Sequence, residues 1–255
     1  MNTSMIQEIL RRKMLQAVFQ PIVATSRSEI IGYEGLIRGP ASSGLESPGA
    51  LFAAARAAGL QPQLEQECVR LLWTRFAAQR LPGKLFLNLS AAMLLEPATH
   101  QREFLRELAA LGFAGNRIVI EITEEHCITD FRRLRRMTRL LRRYGMSVAV
   151  DDLGAGYASL RMWLELRPAC VKIDIVFVRG VDRDMLRQAF LRTICDLARA
   201  SGSRVIAEGI ETEEEWACIR KLGIDFGQGY YIQRPSGQPL VSMEHRTMGD
   251  YRKTA

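Results

Sequence analysis

The feature that most constrains this chain is a pattern repeated eight times: a short apolar run, a polar residue at its end, then a helical stretch. The runs are Ala17–Val23, Glu29–Ile37, Lys84–Leu89, Ile118–Thr123, Ser147–Asp152, Ala169–Asp174, Arg204–Gly209 and Asp225–Tyr230. Most are short, β-branched and apolar at consecutive positions, as expected of strands buried on both faces. The spacers read as helices. One spans Gln61 to Gln79, a second spans Thr129 to Tyr144 with an apolar stripe at Phe131, Leu134, Met137, Leu141 and Tyr144, and a third spans Asp182 to Ala200. Ser47-Pro48 starts another, cap then first-turn proline, and Thr212 with Glu213, Glu214 and Glu215 starts one more. Eight strands alternating with helices over 255 residues predict an α/β fold, a (β/α)8 barrel of TIM type.

No low-complexity linker divides the chain. It reads as one barrel domain over residues 15–239, preceded by a helical lead-in at 1–14 and followed by a polar tail at 240–255. Five cysteines, odd in number and without a C-x-x-C pair, point to reduced thiols and a cytoplasmic protein. No segment is apolar for long enough to serve as a signal peptide or to insert in a membrane. The formal charge of +7 favours an anionic partner without naming a site.

The strand ends carry the chemistry. In order they offer Glu34, Asn88, Glu121, the pair Asp151-Asp152, Lys172 with Asp174, Glu208 and Gln228. In a parallel barrel these ends converge on the face where such folds hold their active sites. Carboxylates gathered in this way repel one another, so a cation must sit among them. An all-oxygen set without histidine or thiolate suits Mg²⁺ or Mn²⁺. Asp151 and Asp152 are placed to serve two ions about 3.5–4 Å apart, the spacing of two-metal phosphoryl-transfer sites. Lys172 adds a fixed positive charge. Of the three histidines, His100, His126 and His245, none has metal-ligand spacing, and His126 reads as a surface-loop residue.

These residues lie in motifs that resemble the EAL-domain family, which linearises cyclic di-GMP. Tyr33-Glu34-Gly35-Leu36-Ile37-Arg38 is similar to the signature that names the family, and Phe19-Gln20-Pro21-Ile22-Val23 to its opening strand. Asn88-Leu89-Ser90, Glu121-Ile122-Thr123-Glu124, Asp151 to Tyr157, Val171-Lys172-Ile173-Asp174, Ala207 to Thr212, Gln228-Gly229-Tyr230 and Arg234-Pro235 follow in the family's order. The resemblance implies an EAL-type barrel, in which the first strand can run antiparallel. It implies that Glu34, Asn88, Glu121 and Asp151 hold one metal, and Asp151 and Asp152 a second. Glu208 and Lys172 would act on the attacking water, with the formal base open between them. Glu124 would brace the loop after the fifth strand, where Leu153 and Ala155 depart from the family pattern. Gln20, Leu36, Arg38, Asp174, Glu211 and Gln228 would meet the substrate.

The implied reaction is hydrolysis of cyclic di-GMP to linear pGpG in bacterial second-messenger signalling. A homodimer is implied, with a sensory or cyclase partner domain acting in trans and no nucleic-acid polymer as ligand. The alternative is a catalytically weak or inactive cyclic di-GMP receptor or adaptor; such relatives usually lose a metal ligand, and none is missing here. Seven arginines between Phe131 and Arg143 read as the solvated face of an outer helix, the other reading being a docking strip. Cys127, Cys170, Trp73, Trp163 and Trp216 read as packing residues.

Overall fold

The computed structural model describes residues 2–94, 104–106, 112, 114–123, 130–154 and 160–243. Eight strands close into a barrel in sequence order: β1 (Gln16–Ala24), β2 (Glu29–Arg38), β3 (Lys84–Ser90), β4 (Ile118–Thr123), β5 (Ser147–Leu153), β6 (Cys170–Ile173), β7 (Arg204–Ala207) and β8 (Phe226–Gly227). From β2 round to β8 every neighbouring pair is parallel. β1 runs antiparallel to both β2 and β8. The cause is local. Only Thr25–Ser28 separate β1 from β2, with Ser28 at φ +52° and its N–H on the Ala24 carbonyl. Four residues can close a hairpin but cannot make the crossover that a parallel pair requires.

Alternate residues of a strand face the same side, so each strand builds the barrel interior in steps of two. One interior layer is apolar: Ile22, Phe86, Val119, Ala149, Cys170 and Ile206, with Ile31 and Phe226 packed against it. Two residues further toward the mouth, the same strands supply Asn88, Glu121, Asp151, Lys172, Glu208 and Gln228, and reversed β1 supplies Gln20. Glu34 joins that layer through its register opposite Gln20. The interior is thus an apolar floor beneath a polar layer. The larger core lies outside the barrel, between strands and helices, where Tyr33, Leu85, Ile120, Val150, Val171 and Val205 meet Leu72, Phe76, Leu134 and Ile194.

The helices start where capping chemistry predicts. Ser47 Oγ accepts from Ala50 N at 3.2 Å and opens the helix Pro48–Ala57. Thr212 and Glu215 form a reciprocal capping box for Glu213–Lys221. The helix Phe131–Arg143 turns Phe131, Leu134, Met137 and Leu141 inward. The N-terminal helix Asn2–Arg12 buries Ile6 and Ile9 in the outer core. β6 ends one residue earlier than its apolar run, because Asp174 leaves the ladder to cap a single turn, Ile175–Val178, accepting from Val176 N at 2.8 Å. Of the run Asp225–Tyr230, only Phe226 and Gly227 are strand.

Truncating the floor tests this architecture. Phe86→Ala should destabilise the protein by about 3–5 kcal/mol in urea unfolding. A change below about 1 kcal/mol would mean that the floor is loosely packed.

Candidate active site

Lys172 is the centre of the polar layer. It is 1% exposed, and its Nζ lies 2.8 Å from Glu208 Oε1, 2.9 Å from Glu121 Oε1, 3.0 Å from Asp151 Oδ1 and 3.5 Å from Glu34 Oε2. Burial alone would lower the ammonium pKa. Asp151, Glu121, Glu208 and Glu34 together outweigh it and raise that pKa well above the ordinary lysine value. The carboxyls feel the reverse. Burial pushes Glu121 and Glu208 well above the usual range against the pull of Lys172, and the neighbouring carboxylates push the same way.

Amides tie this set to the strands beside it. Asn88 donates to Glu34 Oε1 at 2.9 Å, and Gln228 donates to Glu34 Oε2 at 2.6 Å and to Gln20 Oε1 at 2.9 Å. Gln20 in turn donates to the Gln233 carbonyl at 2.9 Å.

Strict alternation would send the adjacent Asp151 and Asp152 to opposite faces of β5. The pairing of β5 with β6 shifts register between Val150 and Leu153, and Asp152 takes φ +51°. A bulge with one left-handed residue re-aims its side chain, and aspartate tolerates that conformation better than most residues. Carboxylate oxygens of Asp151, Asp152 and Glu208 consequently lie within 4.8 Å of one another, a group able to hold a metal ion. Burial, then Asp151, raises the Asp152 carboxyl to about 6.

Two further features fit such an ion. Glu121 is fully buried, yet its Oε2 has no hydrogen-bond partner among the described residues. Fully ionised, the five carboxylates exceed the one ammonium by four charges, the charge of two divalent cations, and a bound ion would favour that ionised form.

Above this layer opens a cleft of about 470 Å³ lined by Gln20, Glu34, Asp152, Glu208 and Gln228, with Asp174, Arg179, Glu211 and Tyr230 among the residues further out. Gly209 beside Glu208 sits at φ +67°, where a Cβ would meet Ile175 Cγ1 at 2.2 Å, so the wall needs glycine there. Of the residues expected to meet substrate, Gln20, Asp174, Glu211 and Gln228 line this cleft. Leu36 and Arg38 are half-buried toward the end of β2 and outside its lining; Arg38 Nη1 donates to the Ile37 carbonyl. Glu124, with His126, Cys127 and Ala155, lies outside the described residues, as do His100 and His245.

Sequence reading missed Arg179, which lines the cleft. Arg179 pairs with Glu211 on the rim, and the Arg234 guanidinium lies 4.1 Å from the centre of the Tyr230 ring. Arg179 follows a run with no periodic signal of its own, so only the fold brings it to Glu211.

The arginine-rich helix follows its periodicity. Arg135 pairs with Glu165, Arg142 donates to the carbonyls of Leu166 and Arg167, and Arg132, Arg136, Arg139 and Arg143 are exposed. Trp73, Trp163, Trp216 and Cys170 are buried.

The fold and site together define a class of barrel whose carboxylates gather at the C-terminal ends of its parallel strands. The EAL domain profile matches residues 3–235. The chain is 32% identical over 232 residues to the probable cyclic di-GMP phosphodiesterase PdeI of Escherichia coli, a match covering 86% of this chain and 28% of PdeI. It spans less than a third of the length of its other leading curated relatives as well.

A standalone EAL protein from Vibrio cholerae, solved with c-di-GMP bound, superposes with a TM-score of 0.79 at 26% identity, covering 89% of this chain and 95% of that one. Klebsiella pneumoniae BlrP1 in its manganese and cyclic di-GMP complex gives a TM-score of 0.79 at 30% identity, covering 88% of this chain and 56% of that one. The chain belongs to the EAL domain family. No helix among its described residues is long and apolar enough to cross a membrane.

Removing the central charge tests the electrostatics. In chelator at pH 7.5, Lys172→Met should cost about 3–5 kcal/mol, the range for breaking a buried pair. Folded carboxyls with raised pKa values stabilise at low pH and lose that contribution as pH rises. The deficit should therefore shrink on acidification toward pH 5. A deficit independent of pH would contradict the arrangement.

Proposed function

We propose that this chain hydrolyses one phosphodiester of cyclic di-GMP, giving linear pGpG, with two Mg²⁺ or Mn²⁺ ions in the site. The observation that carries the reading is a polar layer of excess negative charge, organised by Lys172 and opening into a cleft wide enough for a nucleotide. The names of the relatives support the substrate, since PdeI is called a probable cyclic di-GMP phosphodiesterase and BlrP1 was solved with manganese and cyclic di-GMP.

In this reading Glu34, Asn88, Glu121 and Asp151 hold the first ion, and Asp151 and Asp152 the second. When bound, such ions acidify water and neutralise charge on the reacting phosphate. Glu208, which lines the cleft, would orient that water and take its proton. Lys172, held 2.8 Å from Glu208 Oε1, fixes the carboxylate and lends positive charge to the phosphate side. Gln20, Gln228, Asp174 and Glu211 face the nucleotide from the cleft wall, and Leu36 and Arg38 approach it from the end of β2.

The working unit is a cytoplasmic homodimer, which exposed Leu160 and Leu164 on the helix after β5 support, with regulation from a sensory or cyclase domain in trans.

The test is incubation of the purified chain with cyclic di-GMP and Mg²⁺, with chromatography for pGpG. Turnover is expected, and chelator should abolish it. Glu34→Ala should be inactive. Glu208→Gln should lose about 10²–10⁴-fold in kcat with substrate binding retained. Tight binding of cyclic di-GMP without pGpG would make the chain a receptor, and full activity in excess chelator would overturn the two-ion mechanism.

A further inference from the structure

Glu65 belongs to the helix Gln61–Ala78, outside the ion centre, and is only 4% exposed. A carboxylate buried to that degree costs several kcal/mol unless its oxygens are hydrogen-bonded. Among the described residues its partners converge on one point. Oε1 accepts from Ser90 Oγ at 2.7 Å and Oε2 from Ser90 N at 3.2 Å, while Gln61 Nε2 donates to Oε1 at 2.9 Å. Ser90 Oγ passes the contact on by accepting from Met93 N at 3.1 Å, at the start of the turn Ala91–Leu94. Both carboxylate oxygens therefore bind Ser90, the last residue of β3, and Oε1 is shared with Gln61 of its own helix. Two bonds from one rigid group fix the orientation of the strand end as well as its distance.

Two residues back along β3 stands Asn88, whose amide donates to Glu34 Oε1 at 2.9 Å. We infer that Glu65 is a positioning residue that locks the end of β3 through Ser90 and so holds Asn88 and Glu34 in register for the metal. The inference rests on the reading of Asn88 and Glu34 as metal ligands. Simple helix–strand cohesion would not select a buried carboxylate here, because an apolar pair packs without the desolvation cost. Hydrogen bonds to the partners of metal ligands typically govern metal affinity by about 10–100-fold.

The experiment measures Mn²⁺ affinity of the purified full chain by electron paramagnetic resonance, with no substrate present. The wild type is compared with Glu65→Ala, Glu65→Gln, Ser90→Ala and Asn88→Ala, alongside turnover over a Mn²⁺ titration. Glu65→Ala and Asn88→Ala should each weaken Mn²⁺ binding about tenfold or more. Glu65→Gln keeps an acceptor for Ser90 and should lose less. Saturating Mn²⁺ should restore Glu65→Ala turnover to within a few-fold of wild type, because the residue touches no reacting atom.

Wild-type Mn²⁺ affinity in Glu65→Ala beside weakened affinity in Asn88→Ala would overturn the inference, even if Glu65→Ala melts at a lower temperature. Unchanged affinity in Asn88→Ala would instead overturn the ligand assignment on which it rests. If Glu65→Ala does not fold, Ser90→Ala and Glu65→Gln decide: weakened Mn²⁺ binding in Ser90→Ala with near-native binding in Glu65→Gln supports the lock, and native affinity in Ser90→Ala refutes it.

Discussion

A lysine ammonium buried among four carboxylates is the interaction on which the rest of this structure depends. Lys172 reaches Glu34 on β2, Glu121 on β4, Asp151 on β5 and Glu208 just past β7. Buried carboxylates this close would otherwise repel one another strongly. One cation on β6 makes the arrangement tolerable without neutralising it. The remaining negative charge suits the site to divalent cations, and the same lysine orients Glu208, the side chain nearest to it.

The barrel produces this centre by simple strand geometry. Because side chains alternate, a strand that puts an apolar residue into the floor must put its next inward residue one layer higher. Phe86 and Asn88, Val119 and Glu121, Ala149 and Asp151, Cys170 and Lys172, and Ile206 and Glu208 are five instances of that single step. Glu121, Asp151 and Lys172 above the floor are buried, so their charges act in a medium of low dielectric constant. Alternation fails at the bulge at Asp152, which brings two adjacent carboxylates to the same side.

Much of this was legible in the sequence. Eight apolar runs gave the barrel, and the polar residues at or near the ends of seven of them gave the polar layer, because period-two alternation and strand parallelism are local rules. The reversal of β1 was implied only by the family resemblance; its cause, a four-residue connection to β2, emerges from the strand bounds of the structure. What the sequence hid depends on tertiary contact. The backbone at Asp152 is set by its pairing with β6, not by its own preference. Arg179 meets Glu211 across 32 positions, and Glu65 meets Ser90 across 25. Glu65 in particular looks like one more polar residue on an outer helix until the fold buries it. Asp174 was seen as a strand-end acid, whereas its carboxylate caps the next turn.

The central claim is that this Lys172-centred layer is a two-ion site. Anomalous diffraction from crystals soaked in Mn²⁺ tests it most directly. The account predicts two peaks about 3.5–4 Å apart, both in contact with Asp151 and one also with Asp152. A single peak, or peaks only at surface carboxylates away from Lys172, would contradict it.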